Sequence, residues 1–245
     1  MIEPVTSWTS GAVEACSPAM RAVVSVLATV AGHDVPVLLH GESGSGKSNL
    51  GRALHAASSR RARRLVAVDC QGLQGRADAS RELGAMIETA AGGTILLEEV
   101  GALPERCQGT VAYLLEQHRL CDADADIRVI ATAHGDLEAA VRAGRFREDL
   151  LTRLDVVEIR VPPLRERHED ILPLARSFLL AFKRPGGEPC PALTARAEEA
   201  LVEYRWPGNV RELRNAVQRA LIVSPGPLLD VDAFAPRLGA AGGHA

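Results

Sequence analysis

Apolar residues in this chain follow two kinds of pattern, and the change between them divides it. Met20, Val23, Val24, Leu27 and Val30 recur at helical spacing behind Ser17-Pro18, a pair suited to a helix cap and first turn. Short continuous apolar runs follow at residues 35–40, 65–69, 94–99, 127–132 and 156–161. Each has the length of a strand. Residues 49–58, 80–90, 108–117 and 137–143 carry helical patterns between them, while 71–80 is small and polar with weak structure. Continuous apolar strands alternating with helices predict a parallel sheet covered on both faces. Pro162-Pro163 ends that pattern. Beyond it only helical spacing remains, over 168–182 (with Pro173 near its start), 194–204 and 210–223, the last behind Trp206-Pro207-Gly208-Asn209. Residues 184–187 read as a loop and the Ala/Gly-rich 235–245 as a frayed tail. The expected organisation is an α/β unit over 1–164, a small all-helical unit over 165–234 and a flexible tail. There are no internal repeats.

Between the first strand and the helix after it lies Gly41-Glu42-Ser43-Gly44-Ser45-Gly46-Lys47-Ser48, which fits G-x-x-x-x-G-K-[ST]. Glycines let the backbone turn tightly enough to aim successive N–H groups at phosphate oxygens, and a helix N-terminus adds partial positive charge. Lys47 then reaches the β- and γ-phosphates, and the Ser48 hydroxyl is placed to ligate Mg²⁺. Lys47 and Lys183 are the only lysines in the chain; every other cationic side chain is Arg. A compact ammonium is thus kept where a planar guanidinium would not serve. The strand at 94–99 ends in Glu98-Glu99. In a phosphate-loop ATPase the first such carboxylate supports Mg²⁺ and the second polarises the attacking water.

Composition narrows the alternatives. The 245 residues are 47% hydrophobic and 24% charged, as in ordinary soluble proteins. A net charge of −3 and a pI near 6.2 argue against a generally basic nucleic-acid-binding surface. The one dense basic run, residues 60–64, reads as a solvated helix-end or loop cluster. Cys16, Cys70, Cys107, Cys121 and Cys190 are odd in number and scattered, so buried or semi-buried free thiols are expected. The seven histidines show no metal-ligand spacing. No signal-peptide pattern and no apolar run of membrane-spanning length is found, which predicts a cytoplasmic protein without membrane contact.

Seven motifs, in order, carry a resemblance: Ser17-Pro18-Ala19-Met20; Gly41 to Lys47; Val66 to Cys70; Gly92 to Val100; Gly144-Arg145-Phe146-Arg147-Glu148-Asp149-Leu150 with Arg153-Leu154; Pro162-Pro163-Leu164-Arg165-Glu166-Arg167 with Glu169-Asp170-Ile171; and Trp206 to Asn215. From about Cys16 to Leu228 the chain resembles the central AAA+ ATPase domain of bacterial enhancer-binding proteins, the activators of σ54 RNA polymerase. The resemblance implies a P-loop NTPase fold, a parallel sheet sandwiched by helices and followed by a helical lid. It implies ATP and Mg²⁺ as cofactors, with Lys47, Ser48 and Glu98 holding them and Glu99 activating water. Arg147 and Arg153 match the arginine fingers that reach a neighbouring subunit's site, so a ring, a hexamer or heptamer, is implied. Arg211 matches the sensor arginine of the lid.

Several departures cluster. Residues 71–91 are too short for the family's longer segment and contain no GAFTGA, the loop that grips σ54. Glu98 stands for the family's Asp, Asp69 for the Asn that restrains the catalytic Glu, and His134 for the sensor Asn; His134 can still donate a hydrogen bond. Asp69 is expected to repel Glu99. Ser48 replaces a Glu usual in the family. Neither a sensory domain before residue 16 nor a DNA-binding helix-turn-helix after 228 is expected from this sequence. The expected function is an ATP-binding AAA+ module in transcriptional regulation, a weak, assembly-dependent ATPase with a transcription-machinery or regulatory protein as partner. The alternative is a non-hydrolysing ATP-binding interaction module. A P-loop kinase would leave the finger and lid motifs unexplained.

Overall fold

The computed structural model describes residues 15–119, 126–182, 190–224 and 226–234, with only the backbone for 117–119. The chain divides into two compact units. One comprises Val23–Glu42 and Lys47–Val161; the other comprises Glu14–Ala22, Ser43–Gly46 and the chain from Pro162.

The first unit is built on five parallel strands: β1 (Val37–His40), β2 (Leu65–Asp69), β3 (Thr94–Glu98), β4 (Arg128–Ala133) and β5 (Val157–Arg160), in the order β2-β3-β4-β1-β5. The central strands are the apolar runs of the sequence. Val37, Leu39, Ile95, Leu96, Leu97, Val129, Ile130 and Ala131 are all fully buried, because a parallel sheet covered on both faces leaves no strand face for water. Helix α1 (Pro18–Ala31) precedes β1, and α2 (Lys47–Ala56), α3 (Ala79–Thr89), α4 (Glu105–Arg119), α5 (Leu137–Arg142) and α6 (Glu148–Leu154) connect the strands. The Ser17 hydroxyl accepts the Met20 amide at 3.2 Å and Pro18 opens the first turn, so the expected cap of α1 is present. Register matters at the C-terminal ends of the strands, where ligands bind in open α/β sheets. His40 pairs with Ala133 and with Arg160, and Asp69 pairs with Glu98. Gly41, Glu99 and His134 each follow directly from such an end.

Three features differ from the sequence reading. Helix α6 has only seven residues, too few to register as periodic, yet Leu150 and Leu154 lie one turn apart and are fully buried. Arg60 is no part of a solvated cluster. It is 8% exposed, its Nε donates to both Asp34 oxygens at 3.1 Å, and it also binds Asp126 and the Gly93 carbonyl. Arg61, Arg63 and Arg64 are exposed as expected. Of the thiols, Cys70 and Cys107 are buried but Cys16 and Cys190 are exposed; Cys121 lies outside the described residues.

The second unit holds α7 (Ile171–Ala181), α8 (Ala195–Glu203) and α9 (Asn209–Val223), with two-residue strands β6 (Ala192–Leu193) and β7 (Leu228–Leu229) paired in parallel. Its core gathers Leu164, Ile171, Ala175, Leu201, Trp206, Leu213, Val217, Leu229 and Phe234. Residues 164–170 form two short 3₁₀ turns ahead of α7, so the helix expected from 168 begins at Ile171. Asp170 explains the break. Its buried carboxylate accepts the amides of Cys16 and Ser17 at 2.6 and 2.7 Å and the Ser17 hydroxyl at 2.8 Å. The expected loop at 184–187 and the tail from 235 lie outside the described residues.

Candidate nucleotide site

In the α/β unit the site is assembled from the ends of β1, β3 and β4. Lys47 opens α2 and is only 4% exposed. Its Nζ donates to the carbonyls of Gly41 and Glu42 at 2.9 and 3.0 Å and lies 3.1 Å from Glu99 Oε1. The other Glu99 oxygen bonds His134 Nδ1. Glu99 adopts a left-handed backbone (φ 58°, ψ 57°), uncommon for a residue with a side chain and concentrated at functional sites. Thr132 stabilises that turn. Its fully buried hydroxyl accepts the Glu99 amide at 2.9 Å. Burial alone would raise the Glu99 pKa, but the His134 hydrogen bond and the Lys47 charge outweigh it and hold the carboxylate below its ordinary value.

Glu98 is tied to Arg52, Oε1 to Nη2, at 3.0 Å. Ser48 is the second residue of α2 and half-buried. Asp69 does not act as expected. Its carboxylate accepts the Gln71 amide at 3.1 Å in a local turn and is exposed, and the charges that dominate at Glu99 are those of His134 and Lys47. Cys70, next along, is pushed up to about 12 by burial first and then by Asp69, Cys107, Glu98 and Glu99.

Arg147 immediately precedes α6 and Arg153 lies in its last turn. Arg147 makes a bidentate pair with Asp149, Nε to Oδ1 at 2.9 Å and Nη2 to Oδ2 at 2.8 Å, and is half exposed. Arg153 reaches the Asp149 carbonyl at 3.1 Å and Glu116 at 3.4 Å. Gln108 of α4 sets the turn before them. It is buried, donates to the Leu103 and Arg145 carbonyls and accepts the Arg147 amide at 2.9 Å.

In the helical unit, residues 43–46 of the phosphate loop meet the start of α9. Arg211 Nη1 donates to Ser43 Oγ at 3.0 Å, and its amide donates to the Gly44 carbonyl at 3.3 Å. Gly44 has a left-handed backbone (φ 76°), and a Cβ there would lie 2.4 Å from the Gly208 carbonyl oxygen. Gly46 is left-handed as well (φ 105°) but faces open space.

A cleft of ≈ 500 Å³ shares Gly41 and Glu42 with the loop but is lined by none of Lys47, Glu98, Glu99 and His134. Its wall carries five carboxylates, Glu42, Asp136, Glu138, Asp155 and Glu158, which disfavour a triphosphate there. The chemistry of the loop itself does fit a magnesium-bound triphosphate: a buried ammonium, a hydroxyl at the first turn of a helix, glycines at left-handed positions and two carboxylates at a strand end. Among the described residues no cluster of His, Cys, Asp or Glu suits a metal held by protein alone.

The sequence that builds this site matches a family model. Residues 13–160 match the Sigma-54 interaction domain and residues 165–245 the AAA+ ATPase lid domain. The chain belongs to the Sigma-54 interaction domain family. Relatives of the domain include the alginate biosynthesis transcriptional regulatory protein AlgB of Pseudomonas aeruginosa, 41% identical over 89% of this chain and 53% of that protein. The transcriptional regulatory protein ZraR of Klebsiella oxytoca is 41% identical over 86% of this chain and 52% of its own length. The domain therefore spans about half the length of these relatives. Among solved structures, NtrX from Brucella abortus in complex with ATP matches with a TM-score of 0.84 and 29% identity, covering 96% of this chain and 56% of that one.

Arg52, Thr132 and Gln108 were not singled out from sequence. Thr132 was detectable in principle, as a hydroxyl near the C-terminal end of β4, where ligands bind in open α/β sheets. Arg52 and Gln108 look like any polar residue on a helix.

Proposed function

We propose that the domain binds ATP with Mg²⁺ and acts in bacterial transcriptional regulation as a weak ATPase that works only when assembled into a ring. The observation that carries this reading is the buried Lys47, bonded at once to the start of its own loop and to Glu99. Lys47 would bind the outer phosphates, with Ser48 and Glu98 holding the magnesium ion, which supplies charge neutralisation on the phosphates. Glu99 would accept a proton from the attacking water, and His134 would hold Glu99 in place. Arg211 would report the phosphates to the helical unit. Arg147 and Arg153, paired within their own chain to Asp149, would exchange that partner for the γ-phosphate of a neighbouring subunit. The ATP complex of NtrX supports the choice of nucleotide.

Contact with σ54 is not part of the proposal. Residues 71–91 are taken up by a 3₁₀ turn (Gln71–Leu73) and α3, with Leu73, Ala79, Leu83 and Ala90 buried, and no GAFTGA occurs in them. The partner would be another protein of the transcription or regulatory machinery, in the cytoplasm; no helix among the described residues is long and apolar enough to cross a membrane.

A second reading, a non-hydrolysing ATP-binding interaction module, is favoured by one observation. Both Glu99 oxygens are already engaged, by Lys47 and His134, and those partners hold its pKa below the ordinary value, which makes it a weaker base toward water. The ATPase rate per subunit against protein concentration separates the two. A rate that rises with assembly and falls at least tenfold in both Glu99→Gln and Arg147→Ala is expected for the enzyme. Binding of ATP with no turnover at any concentration would establish the second reading.

A further inference from the structure

We propose that Arg167 and Asn209 are positioning residues that hold the phosphate loop in its anion-binding shape, so that nucleotide affinity depends on side chains that do not themselves touch nucleotide. The inference rests on the ATP-binding reading above. Three successive carbonyls of the loop are each bound by a donor of the helical unit. Asn209 Nδ2 donates to Ser43 O at 3.1 Å, the Arg211 amide to Gly44 O at 3.3 Å, and Arg167 Nη2 to Ser45 O at 2.6 Å. No peptide bond in the described chain is cis. In a trans peptide the C=O of one residue and the N–H of the next point in opposite directions. Drawing the oxygens of residues 43, 44 and 45 toward these donors therefore turns the amides of Gly44, Ser45 and Gly46 the other way. Successive amides turned to one side form a concavity that binds anions.

Both side chains are built in at a cost. Arg167 is only 3% exposed, and its Nε and the Ser45 hydroxyl beside its bond are enclosed without a partner. Buried polar atoms left unpaired are rare and call for an explanation. Asn209 is fully buried in a left-handed backbone (φ 54°), where its Oδ1 also accepts the Leu164 amide at 2.7 Å. At Arg167 a core that needed only packing would use an apolar residue. The close approach of Gly44 to the Gly208 carbonyl belongs to the same device, since the loop must lie near the start of α9 for these bonds to form.

The test is titration of the full chain with Mg-ATP and with Mg-pyrophosphate, alongside thermal melting. Asn209→Asp keeps the left-handed preference and the Leu164 bond but replaces the donor facing Ser43 O with an acceptor. Arg167→Met removes the donor to Ser45 O, and Arg167→Lys restores one. The expected result is a loss of about tenfold or more in affinity for both ligands in Asn209→Asp and Arg167→Met, with Arg167→Lys within about threefold of the unaltered chain. Folded variants that bind like the unaltered chain overturn the inference. So does an Arg167→Lys chain as impaired as Arg167→Met, which would mean that Arg167 matters only to stability. Failure of the unaltered chain itself to bind Mg-ATP overturns the nucleotide reading and this inference with it. Binding by the unaltered chain that is lost in Lys47→Ala keeps the reading intact whatever the other variants do.

Discussion

At the phosphate loop the groups that need partners are backbone carbonyls, and Asn209, the Arg211 amide and Arg167 supply them from within the helical unit. At the end of β3 they are carboxylates, and Lys47, His134 and Arg52 supply cationic or hydrogen-bonding partners from within the α/β unit. Both places carry left-handed backbone, at Gly44 and Gly46 in the first and at Glu99 in the second. The first uses glycine, which adopts it freely; the second forces a glutamate into it and secures the turn with Thr132. The loop is therefore held by geometry that pH and salt hardly touch. The acidic strand end is held by charge, which both can disturb.

The largest effect should come from breaking the loop's geometry. Gly44→Ala puts a Cβ 2.4 Å from the Gly208 carbonyl oxygen at a φ of 76°, and backbone cannot yield as a flexible side chain can. A loss of about 3 kcal/mol in stability is expected, read by denaturant unfolding. Gly46→Ala sharpens the comparison. With nothing within 4 Å of its Cβ and a φ of 105°, its cost is confined to backbone strain, about 1 to 2 kcal/mol. Equal losses in the two variants would show that the approach to Gly208 does not constrain the loop.

What the sequence made legible follows the same division. The strands, the phosphate loop and Glu98-Glu99 are local patterns, each contained in a few consecutive residues, and the sheet places them as the pattern required. The partners that hold them are long-range. Arg167 binds Ser45 across 122 positions and Asn209 binds Ser43 across 166, and no spacing rule connects residues so far apart. Arg60 was misread for a related reason. Within a run of four arginines the sequence cannot say which one the fold turns inward, and only Arg60 meets Asp34 and Asp126. Asp69 was misjudged because the conflict with Glu99 assumed a side-chain direction, whereas a carboxylate at a strand end can cap its own turn instead.

A smaller effect is expected from titrating the strand end. Glu99 has a folded-state pKa below its ordinary value of 4.5, so its contribution is complete above that value. It disappears as the pH falls through the folded value beneath it. Glu99→Gln should therefore lower stability by about 1 kcal/mol near neutrality and flatten the acid limb of a stability-against-pH curve below the ordinary value. High salt should shrink the difference between the two chains, since the Glu99 side chain is 26% exposed and partly screened. An acid limb unchanged by the substitution would mean that the Lys47–Glu99–His134 group carries no net stabilisation.

The smallest effect is read at Cys70, which samples the same acidic end without taking part in it. Burial is the first cause of its pKa near 12, and the charges of Asp69, Glu98 and Glu99 add to it. At about pH 8 its thiolate fraction is then roughly one part in ten thousand. An aromatic disulfide reagent should modify the exposed Cys16 and Cys190 quickly and leave Cys70 untouched until the chain unfolds; Cys121→Ser simplifies the count. Removing the charge of Glu99 should leave that protection nearly intact, because desolvation rather than the carboxylate field dominates. Labelling of Cys70 in folded Glu99→Gln at the rate of the exposed thiols would reverse that order. The strand end would then owe its closure to the charged partners of Glu99, with packing around Cys70 secondary.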